Sequence, residues 1–156
     1  PYHFNTFAAV KTVDLKIINR SSNPLPAYET AGASGMDIRA NLEAPVTMQP
    51  LERCLVPTGL FIEIPAGYEA QVRPRSGLAI RQGITCLNSP GTIDSDYRGE
   101  LKIILVNLSQ EFHVINHGDR IAQIIFQEVV KGAWQESIQI SVTERGDGGF
   151  GHTGKN

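Results

Sequence analysis

Proline and glycine break most of this chain into pieces too short for anything but strands. Val46-Thr47-Met48, Glu52 to Val56, Leu60 to Ile64 and Tyr68 to Arg73 are separated by Pro50, Pro57-Thr58-Gly59 and Pro65-Ala66-Gly67. Strand-like runs punctuated in this way every ~8–12 residues point to an all-β sandwich or barrel. Further strands are expected at Val13 to Asn19, where apolar and polar residues alternate as in a half-buried strand, and at Leu101 to Val106, Phe112 to Val114 and Arg120 to Val130. Ser21 to Ala27 contains Pro24 and Pro26 and reads as an extended loop. No internal repeat and no sustained helical period appears, so the fold class is mainly β.

The 156 residues suffice for one domain with a real core. A formal net charge of -2 argues against a general nucleic-acid binder. No apolar run approaches the ~20 residues of a membrane-crossing helix. The opening Pro1-Tyr2-His3-Phe4-Asn5 lacks both an initiator Met and a basic n-region. Residues 1–12 therefore read as an extension or cloning remnant, 13–144 as the β core and 145–156 as a separate arm. Cys54 and Cys86 are the only cysteines, and neither has a Cys or His within four residues. That excludes a zinc motif and favours buried, reduced thiols, hence a cytoplasmic location.

One segment departs from the β pattern. Pro74-Arg75-Ser76-Gly77-Leu78-Ala79-Ile80-Arg81-Gln82-Gly83 has Ser76 at a plausible N-cap, helix formers after it and glycine as a stop. A short helix here gathers free backbone N–H groups, a hydroxyl and the Arg75 guanidinium at one point, a combination suited to phosphate. An ordinary capped turn with a surface arginine is the commoner explanation of such a segment taken alone.

Cys86 to Glu100 carries more chemistry than a turn needs. Turn residues flank a short strand-like centre, which suggests a tight hairpin projecting from a sheet. Asn88, two carboxylates (Asp94 and Asp96) and Tyr97 crowd onto it. Ala31 to Ala40 is a small-residue loop feeding a strand that bears Asp37, a residue that by itself could simply satisfy loop amides. The tail, Arg145 to Asn156, holds five of the fifteen glycines and should be flexible until a ligand orders it. Its Gly149 to Lys155 imitates most of a P-loop, but the chain has neither the terminal Ser/Thr nor the strand and helix that such a loop requires.

In combination these segments supply two phosphate-binding elements, a candidate base and an aromatic ring on an arm, the parts a nucleoside polyphosphate needs. The chain here resembles the homotrimeric dUTPases. The resemblance rests on five motifs in order, namely Ala33-Ser34-Gly35-Met36-Asp37-Ile38-Arg39-Ala40, Pro74-Arg75-Ser76-Gly77-Leu78-Ala79, Gly91-Thr92-Ile93-Asp94-Ser95-Asp96-Tyr97-Arg98-Gly99, Gly118 to Phe126, and Arg145 to Gly154. It implies a distorted jelly-roll or β-barrel-like fold, a homotrimer with shared sites, and hydrolysis of dUTP to dUMP and pyrophosphate. That activity would limit uracil incorporation into DNA and supply dUMP for thymidylate synthesis.

By the same resemblance Asp94 is the general base, while Arg75, Ser76, Gly77, Gln123 and Arg145 hold the phosphates. Asn88, Gly91, Ile93, Tyr97, Phe150 and Gly151 receive uracil and deoxyribose. Mg²⁺ rides mainly on the phosphates, with Asp37 reached through a metal-bound water. Asp96 is expected to support the hairpin or pair with an arginine, Asp119 and Arg120 to form a structural or trimer-contact pair, and Trp134 to pack. No catalytic role falls to His152. The rival readings are a dCTP deaminase-type enzyme of the same fold and a non-catalytic nucleotide-sensing trimer.

Overall fold

The computed structural model describes residues 11–150. Its elements in chain order are β1 (Lys16–Asn19), β2 (Met36–Arg39), β3 (Val46–Met48), β4 (Arg53–Glu63), β5 (Tyr68–Arg73), α1 (Ser76–Gln82), β6 (Ile84–Cys86), β7 (Gly91–Ile93), β8 (Glu100–Asn107), β9 (His113–Ile115) and β10 (Arg120–Glu128). One four-stranded sheet has the order β1-β4-β8-β6 and the other β2-β10-β5-β7, with β3 and β9 forming a small third sheet. Every pairing is antiparallel. The mainly β expectation holds, with one short helix, but the sheets are open at their edges and do not close into a barrel.

Alternation within the strands builds the core. In β5, Ala70 and Val72 face inward while Gln71 and Arg73 lie half-buried on the other face. Ile38, Val56, Leu101, Ile103, Leu105 and Ile121 are almost wholly enclosed, each stabilising the fold by roughly 1.5–3 kcal/mol through burial of apolar surface.

Two expected strands, Glu52 to Val56 and Leu60 to Ile64, are joined into the single strand β4. Pro57 has no N–H for the ladder, and the register against β8 shifts between Pro57 and Phe61. Side chains satisfy the groups left over. The Thr58 hydroxyl donates to the Leu101 carbonyl at 2.6 Å and accepts from the Leu60 N–H at 3.2 Å, while the Gly59 N–H donates to Glu100 Oε1 at 2.9 Å. Gly59 has φ +71°, a conformation that favours glycine.

Cys54 and Cys86 both stand opposite Leu105, one on each side of β8. Two inter-strand spacings, about 9.5 Å, separate them, beyond the Cα reach of a disulfide. Both are free, Cys86 buried and Cys54 half-buried. Burial pushes the Cys86 thiol up to about 11 and raises that of Cys54 as well, with the Glu52 carboxylate adding to the latter.

Other expectations need correction. The stretch from Cys86 to Glu100 is no simple hairpin, because β6 pairs with β8 in the first sheet and β7 with β5 in the second. It is a crossing between sheets. The alternating β1 is an edge strand with Ile17 and Ile18 exposed, not half-buried. β10 ends at Glu128, leaving Val129 and Val130 in solvent. Trp134 is fully exposed and packs against nothing. No helix of the described residues is long and apolar enough to cross a membrane.

Candidate active site

The second sheet carries a basic cluster at one end. β2 brings Asp37 opposite Gln123 of β10, and Gln123 stands in turn opposite Arg73 of β5. β5 then runs through Pro74 into Arg75 and α1. Arg75 donates from Nε to Asp37 Oδ1 at 2.8 Å and from Nη1 to the Arg120 carbonyl at 3.0 Å. The second carboxylate oxygen, Oδ2, accepts from Arg120 Nη1 at 3.1 Å. Asp37 and Arg75 are about three-quarters or more shielded from solvent, so these charge-assisted bonds hold the guanidinium plane in place.

The Gln123 side chain is held by one bond, its Nε2 donating to the Pro74 carbonyl at 3.0 Å, and its Oε1 lies close over Gly35, 2.6 Å from where an added Cβ would sit. A side chain at 35 would make the Gln123 amide shift. The helix differs from its expected start. Arg75 is the N-cap residue, in an extended conformation and without a side-chain cap bond, and Ser76 is the first helical residue. The Ser76 hydroxyl is therefore not spent on capping, and the first amides have no intrahelical acceptor. Gly83 closes the helix at φ 64°, its N–H donating to the Ala79 carbonyl.

The crossing segment sets out its groups in solvent. Asn88, Asp94, Asp96 and Tyr97 are exposed, Gly91 is buried and Ile93 is half-buried. Asp94 heads a turn in which the Tyr97 N–H donates to its carbonyl at 3.2 Å. The Tyr97 ring folds over Gly99, where a Cβ would approach its carbons to 2.5 Å, and its hydroxyl donates to the Glu100 carbonyl at 3.0 Å. Among the described residues neither the Asp94 nor the Asp96 carboxylate meets a cation, and Arg98 instead donates to the Ser95 and Tyr97 carbonyls. The expected arginine partner of Asp96 is thus absent from the described part of this chain.

Not all the expected site residues meet. Ile93 stands opposite Ala70, so Asp94, one residue past the end of β7, lies toward the end of β5 remote from Arg75. Arg75 is five positions along the chain from Ala70, on the order of 16 Å if extended. Arg145 turns back on its own loop, Nε to the Gly148 carbonyl at 2.7 Å, and Phe150 is fully exposed. Gly151 and His152 lie outside the described residues, as does most of the expected N-terminal extension.

One participant was missed in the sequence. Arg120 does not pair with Asp119, whose carboxylate accepts from the Asn116 N–H at 2.7 Å, but joins Asp37 and Arg75. Spacing could not reveal this, because 83 residues separate it from Asp37. No group of three or more His, Cys, Asp or Glu among the described residues could hold a metal ion. A cation here would depend on oxygens brought by a ligand, with Asp37 offering the lone pairs its two arginines leave free.

Fold and cluster define an antiparallel β-protein with an anion-receptive, arginine-lined sheet end. A family model described as dUTPase matches residues 21–154. Deoxyuridine 5'-triphosphate nucleotidohydrolase of Finegoldia magna is 59% identical over 140 residues, covering 90% of this chain and 98% of the relative. The protein of that name from Fusobacterium nucleatum is 55% identical over 146 residues, covering 94% and 100%. This chain belongs to the dUTPase family.

Solved structures agree on the fold. A variant of the Staphylococcus bacteriophage 80alpha dUTPase with dUpNHpp superposes with a TM-score of 0.79 at 24% identity, covering 92% of this chain and 99% of that one. A variant dUTPase of phage phi11 of S. aureus, described with a structural Mg(II) ion, gives 0.74 at 20% identity, covering 83% and 100%.

Proposed function

We propose that this protein hydrolyses dUTP to dUMP and pyrophosphate. The observation that carries this reading is the family match, whose span of residues 21–154 includes all five motif stretches. Neither a deaminase nor a non-catalytic sensor has an observation in its favour.

In the proposed reaction Asp94 takes a proton from a water that attacks the α-phosphorus. The bond from that phosphorus to the oxygen bridging it to the β-phosphorus breaks, and pyrophosphate leaves with the electron pair. An exposed carboxylate suits the role, being open to a positioned water and able to accept its proton. Arg75, Ser76, Gly77 and Gln123 hold the phosphate chain, aligning it and countering its charge. Mg²⁺ would supply further charge neutralisation, and Asp37 is the residue of this chain that would help hold it. Asn88 and the backbone from Gly91 to Ile93 receive uracil, whose donor pattern differs from that of cytosine, and Tyr97 packs beneath the deoxyribose. Phe150 and Gly151 cover the base while Arg145 reaches the terminal phosphate, excluding water as the arm closes.

The site is shared between copies in a homotrimer. Two features support this. Asp94 and Arg75 of one chain stand well apart along β5, so a base and a clamp taken from neighbouring chains would meet one triphosphate more readily. The segment after β10 also leaves Trp134, Ile138, Ile140 and Val142 almost fully exposed, three of them at the two-residue spacing of a strand that lacks a neighbour. Two free thiols suit a cytoplasmic setting, where dUTP arises.

The test is pyrophosphate release by the purified protein with Mg²⁺. Rapid release from dUTP, and little from dCTP, dTTP or UTP, is expected. Equal rates on dUTP and dCTP would overturn the assignment.

A further inference from the structure

We propose that Arg120 is a positioning residue for the phosphate clamp, keeping Asp37 to a single bond on Arg75 so that the outer face of the Arg75 guanidinium stays open to substrate. This rests on the dUTP-hydrolysing reading and adds to it a residue that touches neither substrate nor metal.

A guanidinium has five N–H donors. Arg75 commits two of them inside the protein, one to Asp37 Oδ1 and one to the Arg120 carbonyl, and five less two leaves three for an anion. A carboxylate beside an arginine ordinarily closes a two-bond fork on Nε and Nη2. Asp37 has not done so, because its second oxygen is held by Arg120 Nη1 at 3.1 Å. Without that bond, Oδ2 is free to rotate onto Arg75 Nη2 and remove a donor from the substrate side. Arg120 thus acts twice on the same neighbour, through its carbonyl directly and through its guanidinium by way of Asp37.

Backbone geometry places Arg120 for both tasks. The register of β10 against β2 shifts between Arg120 and Ala122, and at this irregularity the Arg120 carbonyl accepts from Arg75. The turn before it is fastened by Arg39, whose Nη1 donates to the Gly118 carbonyl at 2.8 Å, and by the Ala40 N–H on the Asp119 carbonyl at 2.9 Å. Two arginines sharing one carboxylate also leave a net positive charge facing outward, as an anion site needs.

The experiment measures dUTP hydrolysis and calorimetric binding of dUpNHpp for the wild type, Arg120→Met, Arg120→Lys, Asp37→Asn and the Asp37→Asn/Arg120→Met pair, with thermal midpoints alongside. Methionine keeps the backbone carbonyl and loses the guanidinium. Arg120→Met should weaken analogue binding and raise KM by about tenfold, with a smaller change in kcat and little change in midpoint. Lysine restores a donor for Oδ2 and should return binding to within a few fold of wild type. It carries the test alone if Arg120→Met does not fold.

In the Asp37→Asn background no two-bond fork can form, so Arg120→Met should cost little more. The inference is overturned if Arg120→Met binds the analogue as wild type does, if lysine gives no rescue, or if the methionine penalty persists undiminished in the Asp37→Asn background. A wild type that neither binds the analogue nor hydrolyses dUTP overturns the functional reading as well. An active wild type with any of those three results overturns this inference alone.

Discussion

The sheet-borne part of the candidate site and the part borne by the C-terminal segment are built on opposite principles. Asp37, Arg120 and Gln123 come from two neighbouring strands, β2 and β10, and Arg75 from the start of α1, and each makes at least one hydrogen bond to another of the four or to adjoining backbone. Residues 129–150 make no strand or helix, and nearly all of them are exposed. On the proposed reading, preorganisation is concentrated where the phosphates would bind, while the proposed covering residues have few contacts among the described residues. A rigid clamp lowers the cost of alignment, and a separate cover allows substrate to enter and product to leave.

The largest effect comes from the crossing segment, which lies outside both halves of this comparison. Asp94→Asn should lower turnover by about 10³-fold while still binding dUpNHpp, because the amide cannot take the proton but fills the same space. Retained turnover, measured as pyrophosphate release, would remove Asp94 as the base.

Cutting the chain before Arg145 should have a smaller effect, on the order of 10²-fold in turnover, with the thermal midpoint and the oligomeric state measured by light scattering unchanged. An unchanged rate would separate the segment from the site. A collapsed midpoint would show that the sheet-borne half depends on it.

The smallest effect concerns the thiols within the first sheet. Because burial holds the Cys86 thiol up to about 11, little thiolate exists at pH 8, and labelling by a thiol reagent should lag well behind a free cysteine, with Cys54 ahead of Cys86. The sign extends to stability. An unfolded thiol ionises from pH ~8.5, the folded one only near 11, so this contribution is intact below ~8.5 and is lost as the pH climbs through that window. Prompt labelling of Cys86 in the native protein at pH 8 would contradict it.

Much of the fold was legible because its cause is local. Proline and glycine fix where strands stop, and alternation fixes which face they bury. The same local logic misread Pro57-Thr58-Gly59 as a break, since the hydroxyl and carboxylate that rescue the ladder lie at Thr58 and, 41 residues beyond Gly59, at Glu100. It misread Cys86 to Glu100 as a hairpin because turn residues do not disclose which sheet each flanking strand joins. Of the candidate site, Arg75, Gln123 and Asp94 stood out as residue types within their motifs. The partnership of Arg120 with Asp37 did not, because it depends on β2 and β10 being neighbours, a fact of topology rather than of spacing.

The separation of Asp94 from Arg75 along β5 has a genetic consequence. If a working centre draws its base from one chain and its clamp from another, a lesion in either residue damages different halves of a centre. Two inactive alleles, one altered at Asp94 and one at Arg75, could then restore activity to each other when co-expressed, since mixed assemblies would contain some centres with both halves intact. Each gene copy would be defective, yet the cell carrying both would not be.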